Sequence, residues 1–500
     1  MKNRTLLNVL SNILLQFVMI ASTLVIPRII LSAFGSETNG LISSLEQLLG
    51  YISLAEGGLG GVVAANLYRP LVRGDKKRIA SVVKTTQSFY RRLSLFFAGY
   101  VAVVAVGYPL VVGSPFSFAY IASLTLILAV RFFAQYNFSL SNRLLLQANK
   151  QVYLVSFAQT ISTLVTMVAF FIVSRICPNI HLLELTSVVA FLIQPLAFGY
   201  FARKYHNLDL KAAKPDKKLL ASRWDGFSIN TAAFIHNNTD IAVLTLLTSL
   251  SEVSVYAVHA IVTLGLRKIL QAVSSGIAPT IGHVYAKGDK LELDQKFSLY
   301  ELTTFILTFF LFAVGGLLIV PFVQFYTSGI HDANYYQPVF ALLLILAEFI
   351  YCIREPYTSL AYSADRFKDI RKHAYIEAGL NIVLSLALVS WLGLVGVAIG
   401  TLVAMFYRTG YQILYLKFHI LHRPLKIFFQ KFAIFSAASA IGVALCLFFL
   451  PITEYTLSSL VIHGVIYAGI IGGLYAAATA VFYRKEMSLL LTKSRKKGKI

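Results

Sequence analysis

One apolar segment in the second half of the chain carries polar side chains at regular intervals. Six of them recur at steps of three or four residues: Tyr256, His259, Thr263, Arg267, Gln271 and Ser274. That spacing places them on one face of an α-helix. In hydrocarbon such a face would leave hydrogen-bonding groups unsatisfied, so we expect it to line a polar interior. The guanidinium group of Arg267 has a planar fork of donors, which suits carboxylate and phosphate oxygens.

Other apolar segments also contain polar side chains that share a face. These are Asn8, Asn12, Gln16 and Thr23; Arg131, Gln135 and Asn142; Asn230, Asn237, Asp240 and Thr248, with His236 one turn before Asp240; and Glu348 and Glu355 beside Arg354. We predict that these faces, which come from both halves of the chain, converge on one cavity. On an ideal helix Arg28 projects about 120° from the first face, so only a break at Pro27 would turn it into that cavity.

Five cations lie within the apolar segments, namely Arg28, Arg131, Arg267, Lys268 and Arg354. Unpaired near the middle of a bilayer, they would together cost about 12 to 18 kcal/mol. Each must therefore be paired, hydrated or able to extend to the membrane surface, and the last is expected for Lys268. The acidic residues available as partners are Glu46, Glu56, Asp240, Glu348, Glu355 and Glu377.

Two interpretations of these charges remain open. In the first, internal ion pairs fix the register of neighbouring helices. In the second, side chains in a hydrated cavity bind an anionic substrate, and the candidates are Arg28, Arg131, Arg267, Arg354, Gln271 and Asn237. A second set of residues is either structural or able to couple transport to an ion, and it comprises Asp240, His236, Glu56 and Glu348.

The sequence predicts neither a metal site nor a cofactor. Cys177, Cys352 and Cys446 fall in different spans or loops, without the CxxC or Cys/His spacing that metal sites need. No catalytic residue is nominated, and we do not expect the chain to be an enzyme.

The chain as a whole has the composition of an integral membrane protein. Hydrophobic residues make up 57%, charged residues 13%, and the mean hydropathy is +0.72, whereas soluble domains carry about 25% charged residues. Apolar windows long enough to cross a bilayer recur from end to end. They predict about fourteen spans, near residues 10–34, 41–66, 93–112, 116–142, 152–173, 182–202, 224–250, 253–278, 297–325, 337–360, 374–392, 394–416, 432–450 and 457–483.

Lysine and arginine residues lie almost entirely on one side of these spans. If the N-terminus is cytoplasmic, 38 of the 44 fall in cytoplasmic segments, which include 143–151 and 408–431, and only Arg175 lies outside. This distribution follows the positive-inside rule and places both termini in the cytoplasm. The net charge of +22 therefore predicts contact with anionic membrane lipid, and no nucleic-acid partner is needed to explain it.

The two halves of the chain are predicted to be related. Spans 2 and 8 each end in a glycine-rich segment followed by the same tripeptide, at 74–76 and at 288–290. A parallel repeat of six-span halves is typical of transporters that bind substrate between the halves. We predict an N-terminal lobe over 1–205, a basic cytoplasmic linker over 206–223, a C-terminal lobe over 224–420, and an extra two-helix unit with a basic tail over 421–500.

Several stretches resemble a known family. They are KNRTLLNVL at 2–10, PRIILSAFGSETNGLISSLEQLLGYISLAEGGLG at 27–60, LYRPLVRGD at 67–75, VPFVQFYTSGIHDANYYQP at 320–338 and LVGVAIGTLVAMFYRTG at 394–410. They resemble bacterial polysaccharide-biosynthesis membrane proteins, the lipid-linked oligosaccharide flippases of the multidrug/oligosaccharidyl-lipid/polysaccharide (MOP) exporter superfamily. The resemblance covers nearly the whole chain and is most specific in the first 90 residues.

The resemblance implies a V-shaped bundle of two six-helix lobes that alternates between inward-open and outward-open states. It implies transport of an undecaprenyl-diphosphate-linked glycan from the inner to the outer leaflet of the cell membrane. Within the family motifs, Arg28 matches the arginine after the span 1 proline, Asp240 the acid of span 7, and Glu56 the turn that ends span 2. The final pair of spans is similar to the fourteen-span lipid II flippase branch, which leaves the substrate open.

Two other functions compete with the flippase. A multidrug cation antiporter of the same fold should present an acid-rich cavity, and the arginines on several spans argue against it. A membrane glycan polymerase or glycosyltransferase needs carboxylates and histidine in a substantial outside loop. His331 and Asp332, in the short loop from Tyr326 to Gln337, are the only such cluster. As partners we expect the polyprenyl-diphosphate-linked glycan, membrane lipid and glycan-assembly enzymes.

Overall fold

The computed structural model describes residues 2–57, 59–216, 219, 231, 234 and 238–484. Within these ranges all of the longer elements are helices and no strand is present. The chain divides into two compact units, with unit 1 formed by Met1–Ser254 and Ile330–Ala333, and unit 2 by Val255–Gly329 and Asn334–Ile500. The prediction of an all-α polytopic fold is confirmed.

Unit 1 contains the first ten helices. They are α1 (Lys2–Gly50), α2 (Ile52–Glu56), α3 (Leu59–Arg73), α4 (Lys76–Val111), α5 (Phe118–Ala134), α6 (Leu140–Ala148), α7 (Val152–Ile176), α8 (Ile180–Phe191), α9 (Ile193–His206) and α10 (Asn238–Leu247). A π-helical turn, Gln135–Ser139, joins α5 to α6 without a break. Aromatic rings of α4 and α5 meet in the core of this unit, where Phe97 contacts Phe132, Phe133 and Tyr136.

Unit 2 contains the remaining helices. They are α11 (Leu250–Lys287), whose first turn belongs to unit 1, α12 (Lys290–Tyr326), α13 (Pro338–Ile353), α14 (Glu355–Ser363), α15 (Phe367–Leu416), α16 (Lys426–Phe449) and α17 (Leu457–Phe482). A second π-helical turn, Lys417–Leu421, follows α15.

Ten helical segments among the described residues are long and apolar enough to cross a membrane. The fourteen predicted spans are consistent with these ten segments. Two of the segments contain two spans each, and two further spans correspond to helices too short to be counted among the ten. The segments around α1 and α15 each contain two predicted spans joined at a non-helical glycine. The two further spans correspond to α10 and to α13 with α14, which are shorter helices than the ten segments.

The chain reverses within α1, at Gly35. The backbone there has φ 82° and ψ 177°, a conformation that glycine adopts without the strain a side chain would cause. Met19 and Glu46 line the same cavity, although a straight helix would separate them by about 40 Å. The expected loop at 35–40 is therefore a single-residue break, and the helix restarts at once. Asp332 caps the new start by accepting hydrogen bonds from Ser36 N at 2.7 Å and Ser36 Oγ at 2.5 Å.

A second reversal lies at Gly393 within α15, where φ is 53° and ψ is −130°. Asn381 Nδ2 donates to Thr401 Oγ1 at 3.0 Å across the two arms, whereas twenty residues of straight helix would span about 30 Å. The arms approach closely because Gly396 has no side chain. A Cβ atom there would lie 2.5 Å from the backbone oxygen of Leu388. Small residues at such crossings are typical of helix packing in membranes.

A buried ionic cluster joins α16 to α12. Glu301 of α12 is fully buried and accepts from Lys431 Nζ at 2.6 Å and from Arg423 Nη2 at 2.5 Å. Tyr357 OH donates to the same carboxylate. Lys431, which the charge distribution assigned to a cytoplasmic segment, is only 2% exposed and lies in α16. A lysine that is paired in this way can be buried.

We predict that Gly396→Ala destabilises the protein by about 1 to 3 kcal/mol, because the added methyl group meets backbone that cannot rotate away. The measurement is thermal unfolding of the purified protein in detergent. Gly379→Ala on the same helix is the matched control, since a Cβ atom there meets nothing within 4 Å. Equal unfolding temperatures for the two variants would show that the arms of α15 do not depend on close approach.

Candidate functional site

Unit 1 encloses a cavity of about 570 Å³ among α1, α5, α6, α7, α8 and α9. Its walls carry many polar side chains, although all of these helices are apolar enough to lie in a membrane. The polar lining residues are Ser22, Thr23, Asn39, Ser43, Glu46, Arg131, Gln135, Ser139, Arg143, Gln159, Ser162, Thr163, Thr166, Glu184, Ser187 and Gln194. Several of these groups form hydrogen bonds within the protein, as Ser162 does to the carbonyl oxygen of Ala190 at 2.9 Å, and the others can bind water or a ligand.

One wall of the cavity is a row of four residues at intervals of four: Arg131, Gln135, Ser139 and Arg143. On a regular α-helix twelve residues would turn Arg143 about 120° away from Arg131. The π-helical turn Gln135–Ser139 removes most of this rotation, because its wider i→i+5 turn contains one extra residue. Both guanidinium groups therefore face the same space.

This turn also explains an error in the sequence analysis. Helical phase placed Asn142 in a row with Arg131 and Gln135, and the charge count left Arg143 in a cytoplasmic segment. The extra residue of the π-helical turn moves the register by one, so that Arg143 lines the cavity. Asn142 instead donates to the carbonyl oxygen of Phe138 at 3.3 Å, within its own helix.

The cavity holds two cations and two carboxylates, of which only one pair is in contact. Arg131 Nη2 donates to Glu46 Oε1 at 2.6 Å. Glu184 is 4% exposed and close enough to interact electrostatically with both members of that pair. Arg143 forms no ion pair with any carboxylate in the described part of the chain, although it stabilises Glu56 through space. The site thus has one guanidinium group ready to bind an anion.

In unit 2, two of the predicted arginines contact one aromatic ring. Arg267 Nη1 donates to Glu348 Oε1 at 3.2 Å, and its guanidinium carbon lies 5.0 Å from the centre of the Tyr351 ring. The guanidinium carbon of Arg354 lies 4.6 Å from the same ring. Cation–π contacts of this kind stabilise positive charge in a low dielectric.

Glu377 is shared by two arginines in the same unit. It accepts from Arg354 at 2.5 Å and from Arg408 at 3.3 Å, and all three residues are buried. Two of the acids proposed as partners, Glu348 and Glu377, therefore neutralise Arg267 and Arg354. A cavity of about 480 Å³ in this unit is lined by Glu355 and not by these two arginines.

The other nominated residues are dispersed. Pro27 lines the unit 1 cavity but Arg28 does not, and α1 continues through both without a break. Gln271 is exposed, unlike its stripe neighbours, and Asp240 is buried in α10. Glu56 accepts from Tyr90 OH at 2.7 Å. Asn237 and His236 lie outside the described residues.

Sequence reasoning missed Arg143, Glu184 and Arg408. Glu184 was visible as a single acid in an otherwise apolar span, which is a signal of function or pairing in membranes. Arg408 had a weaker signal, namely Gln412 one turn later, to which its Nε donates at 3.4 Å. The sequence contained no such signal for Arg143, because an α-helical projection turns its side chain away from the predicted polar face.

Solved structures share this fold. Lipid II flippase MurJ in an inward closed conformation matches with a TM-score of 0.71 and 15% identity, covering 95% of this chain and 100% of that chain. An inward-facing multidrug resistance MATE family transporter of the MOP superfamily matches with a TM-score of 0.62 and 14% identity, covering 80% of this chain and 94% of that chain. The MATE multidrug transporter DinF-BH matches with a TM-score of 0.57 and 15% identity, covering 85% of this chain and 96% of that chain. Comparisons with protein-family models and with curated protein sequences found no match.

These similarities define the class of the chain by its fold. It is a multi-pass membrane protein with the fold of MOP-superfamily transporters, a class that includes both a lipid flippase and multidrug transporters. The match to the flippase structure extends over nearly the whole chain.

We predict that Glu377→Gln destabilises the protein by about 3 to 5 kcal/mol, because Arg354 and Arg408 lose their shared buried carboxylate. Thermal unfolding of the purified protein and its abundance in membranes measure the effect. Glu292→Gln is the matched control, since Glu292 forms a 3.6 Å pair with Lys287 that is partly exposed and is worth about 0 to 1 kcal/mol. If both variants unfold alike, the buried charges do not support unit 2.

Proposed function

We propose that this protein is a flippase that moves an anionic undecaprenyl-diphosphate-linked oligosaccharide from the inner to the outer leaflet of the cell membrane, for assembly of surface polysaccharide. One observation carries the proposal, namely Arg143 in the unit 1 cavity. It has no contact ion pair within the described residues, and it shares the cavity with Arg131. A guanidinium group that faces a polar cavity in a membrane suits the oxygens of a diphosphate.

The physical need for such a site is clear. A diphosphate headgroup with sugars cannot cross hydrocarbon unaided, whereas a polar cavity shelters it while the polyprenyl tail stays in lipid. The glutamates do not cancel this role of the arginines. Glu46 occupies one guanidinium nitrogen of Arg131, and an arginine has five N–H donors.

A multidrug cation antiporter is the second candidate, because the fold accommodates both activities. The two glutamates of the cavity are balanced by two arginines, so its formal charge favours neither a cation nor an anion. The extent of similarity favours the flippase, since the match to MurJ covers 95% of this chain and the MATE match covers 80%. A glycan polymerase is not favoured, because Asp332 is engaged in capping the helix at Ser36.

The remaining parts of the proposal follow the sequence. Transport proceeds by alternating access, with both termini in the cytoplasm and glycan-assembly enzymes as partners. A membrane potential, negative inside, favours outward movement of an anion by about 2.3 kcal/mol per charge per 100 mV. Arg28, Arg267, Arg354, Gln271 and Asn237 remain candidates for substrate contact at other stages. Asp240, His236, Glu56 and Glu348 remain candidates for ion coupling.

We predict that Arg143→Ala abolishes export of the surface glycan in cells that depend on this protein, while lipid-linked precursor accumulates. The physical reason is the loss of the cation that has no contact ion pair in the cavity and that binds the diphosphate. Surface glycan and lipid extracts are measured together with the abundance of the protein in membranes. Arg92→Ala is the matched control, because Arg92 is exposed and does not line the cavity.

Normal export by a stable Arg143→Ala variant would contradict the proposal. So would drug resistance conferred by the wild-type protein and retained by the variant, because that outcome identifies a cation antiporter. Loss of export with both arginine variants would point to a general sensitivity to lost positive charge.

A further inference from the structure

One face of α8 presents three different chemical groups to the unit 1 cavity. Glu184, Ser187 and Phe191 lie at positions i, i+3 and i+7, and all three line it. Glu184 is 4% exposed and Ser187 is 6% exposed. Neither side chain has a hydrogen-bond partner among the residues that the structure describes. Both polar groups line the cavity and make no hydrogen bond to the described residues, so a ligand that supplies donors and acceptors can bind them.

A helix packed against α8 adds a further group of the same kind. Gln135 of the π-helical turn lines the cavity, and its amide has no hydrogen bond to another described residue. It lies one turn from Arg131, which Glu184 also approaches. Carboxyl, hydroxyl and amide groups beside an aromatic ring match the hydroxyl groups and the apolar C–H face of a sugar ring.

The charges divide the cavity into two ends. Arg131 and Arg143 are about 18 Å apart along the helix axis. Arg131 has two carboxylates nearby, Glu46 in contact and Glu184 within electrostatic range, whereas Arg143 has one, Glu56, within electrostatic range and none in contact. A diphosphate is therefore favoured at the Arg143 end, and an uncharged group at the Glu184 end.

We propose that the end of the cavity formed by Glu184, Ser187, Phe191 and Gln135 is a subsite for an uncharged sugar of the transported lipid. This rests on the proposed function, because it places the sugar beside a diphosphate bound at Arg143. Glu184 accepts hydrogen bonds from sugar hydroxyl groups, Ser187 and Gln135 donate and accept, and Phe191 packs against the ring.

The test measures binding to the full-length protein in lipid nanodiscs. Two probes are used: undecaprenyl diphosphate, and the lipid-linked glycan extracted from cells that lack this protein and therefore accumulate it. The variants are Glu184→Leu, Ser187→Val, which replaces the hydroxyl group with methyl groups, Glu184→Gln and Arg143→Ala. Leu185→Ala is the control on the same helix, because Leu185 is exposed and does not line the cavity.

We expect Glu184→Leu and Ser187→Val each to weaken binding of the glycan lipid about tenfold, as loss of a hydrogen bond to the ligand predicts. Binding of undecaprenyl diphosphate should be unchanged. Glu184→Gln should lose less than Glu184→Leu, because an amide still accepts from hydroxyl groups. Arg143→Ala should weaken binding of both probes, and Leu185→Ala should affect neither.

Other outcomes overturn the inference in distinguishable ways. If Glu184→Leu and Ser187→Val affect both probes equally or neither probe, the sugar subsite is wrong, while the effect of Arg143→Ala still tests the proposed function by itself. If Glu184→Gln abolishes transport without weakening glycan binding, Glu184 binds a proton or a cation, and the inference fails. If the wild-type protein binds neither probe, the proposed function and the subsite both fail.

Discussion

A polar group in hydrocarbon must find a partner within the protein, because lipid supplies none. In this chain the constraint governs nearly every intramembrane charge that the structure describes. Arg131 is satisfied by Glu46, Arg267 by Glu348, and Arg354 by Glu377. Helices that bring these partners together are held at a fixed rotation, because turning either helix would expose a charge. Ion pairs therefore determine which faces point inward, and the apolar contacts fill the space around them.

The same constraint gives meaning to the groups that remain unsatisfied. Glu184, Ser187 and Gln135 lack hydrogen-bond partners in the part of the chain that is described, and Arg143 lacks an ion pair there. All four line one cavity of unit 1, where water or a ligand can complete their hydrogen bonds.

The fold and many of the ion-pairing residues could be predicted from the sequence. Hydropathy gave the membrane class, and the acids proposed as partners include Glu46, Glu348 and Glu377, because charges inside apolar segments have few alternatives. The cavity wall could not be predicted completely. A helical projection assumes 3.6 residues per turn, and the π-helical turn at Gln135–Ser139 violates that assumption. The burial of Lys431 and Arg408 was not predicted either, because the positive-inside rule counts charge and does not detect partners.

The cluster around Glu301 has a consequence for the synthesis of the protein. In the sequence, Arg423 lies 122 residues after Glu301, and Lys431 lies 130 residues after Glu301. At typical rates of translation the ribosome needs roughly ten seconds to make that length of chain. During this interval α12 has entered the membrane with an acidic side chain whose two cations do not yet exist. Unit 2 therefore cannot reach its final packing until α16 has been synthesised. The carboxyl group of Glu301 stays protonated or hydrated until α16 is inserted. The last helices thus complete the folding of α12, which is inserted long before them.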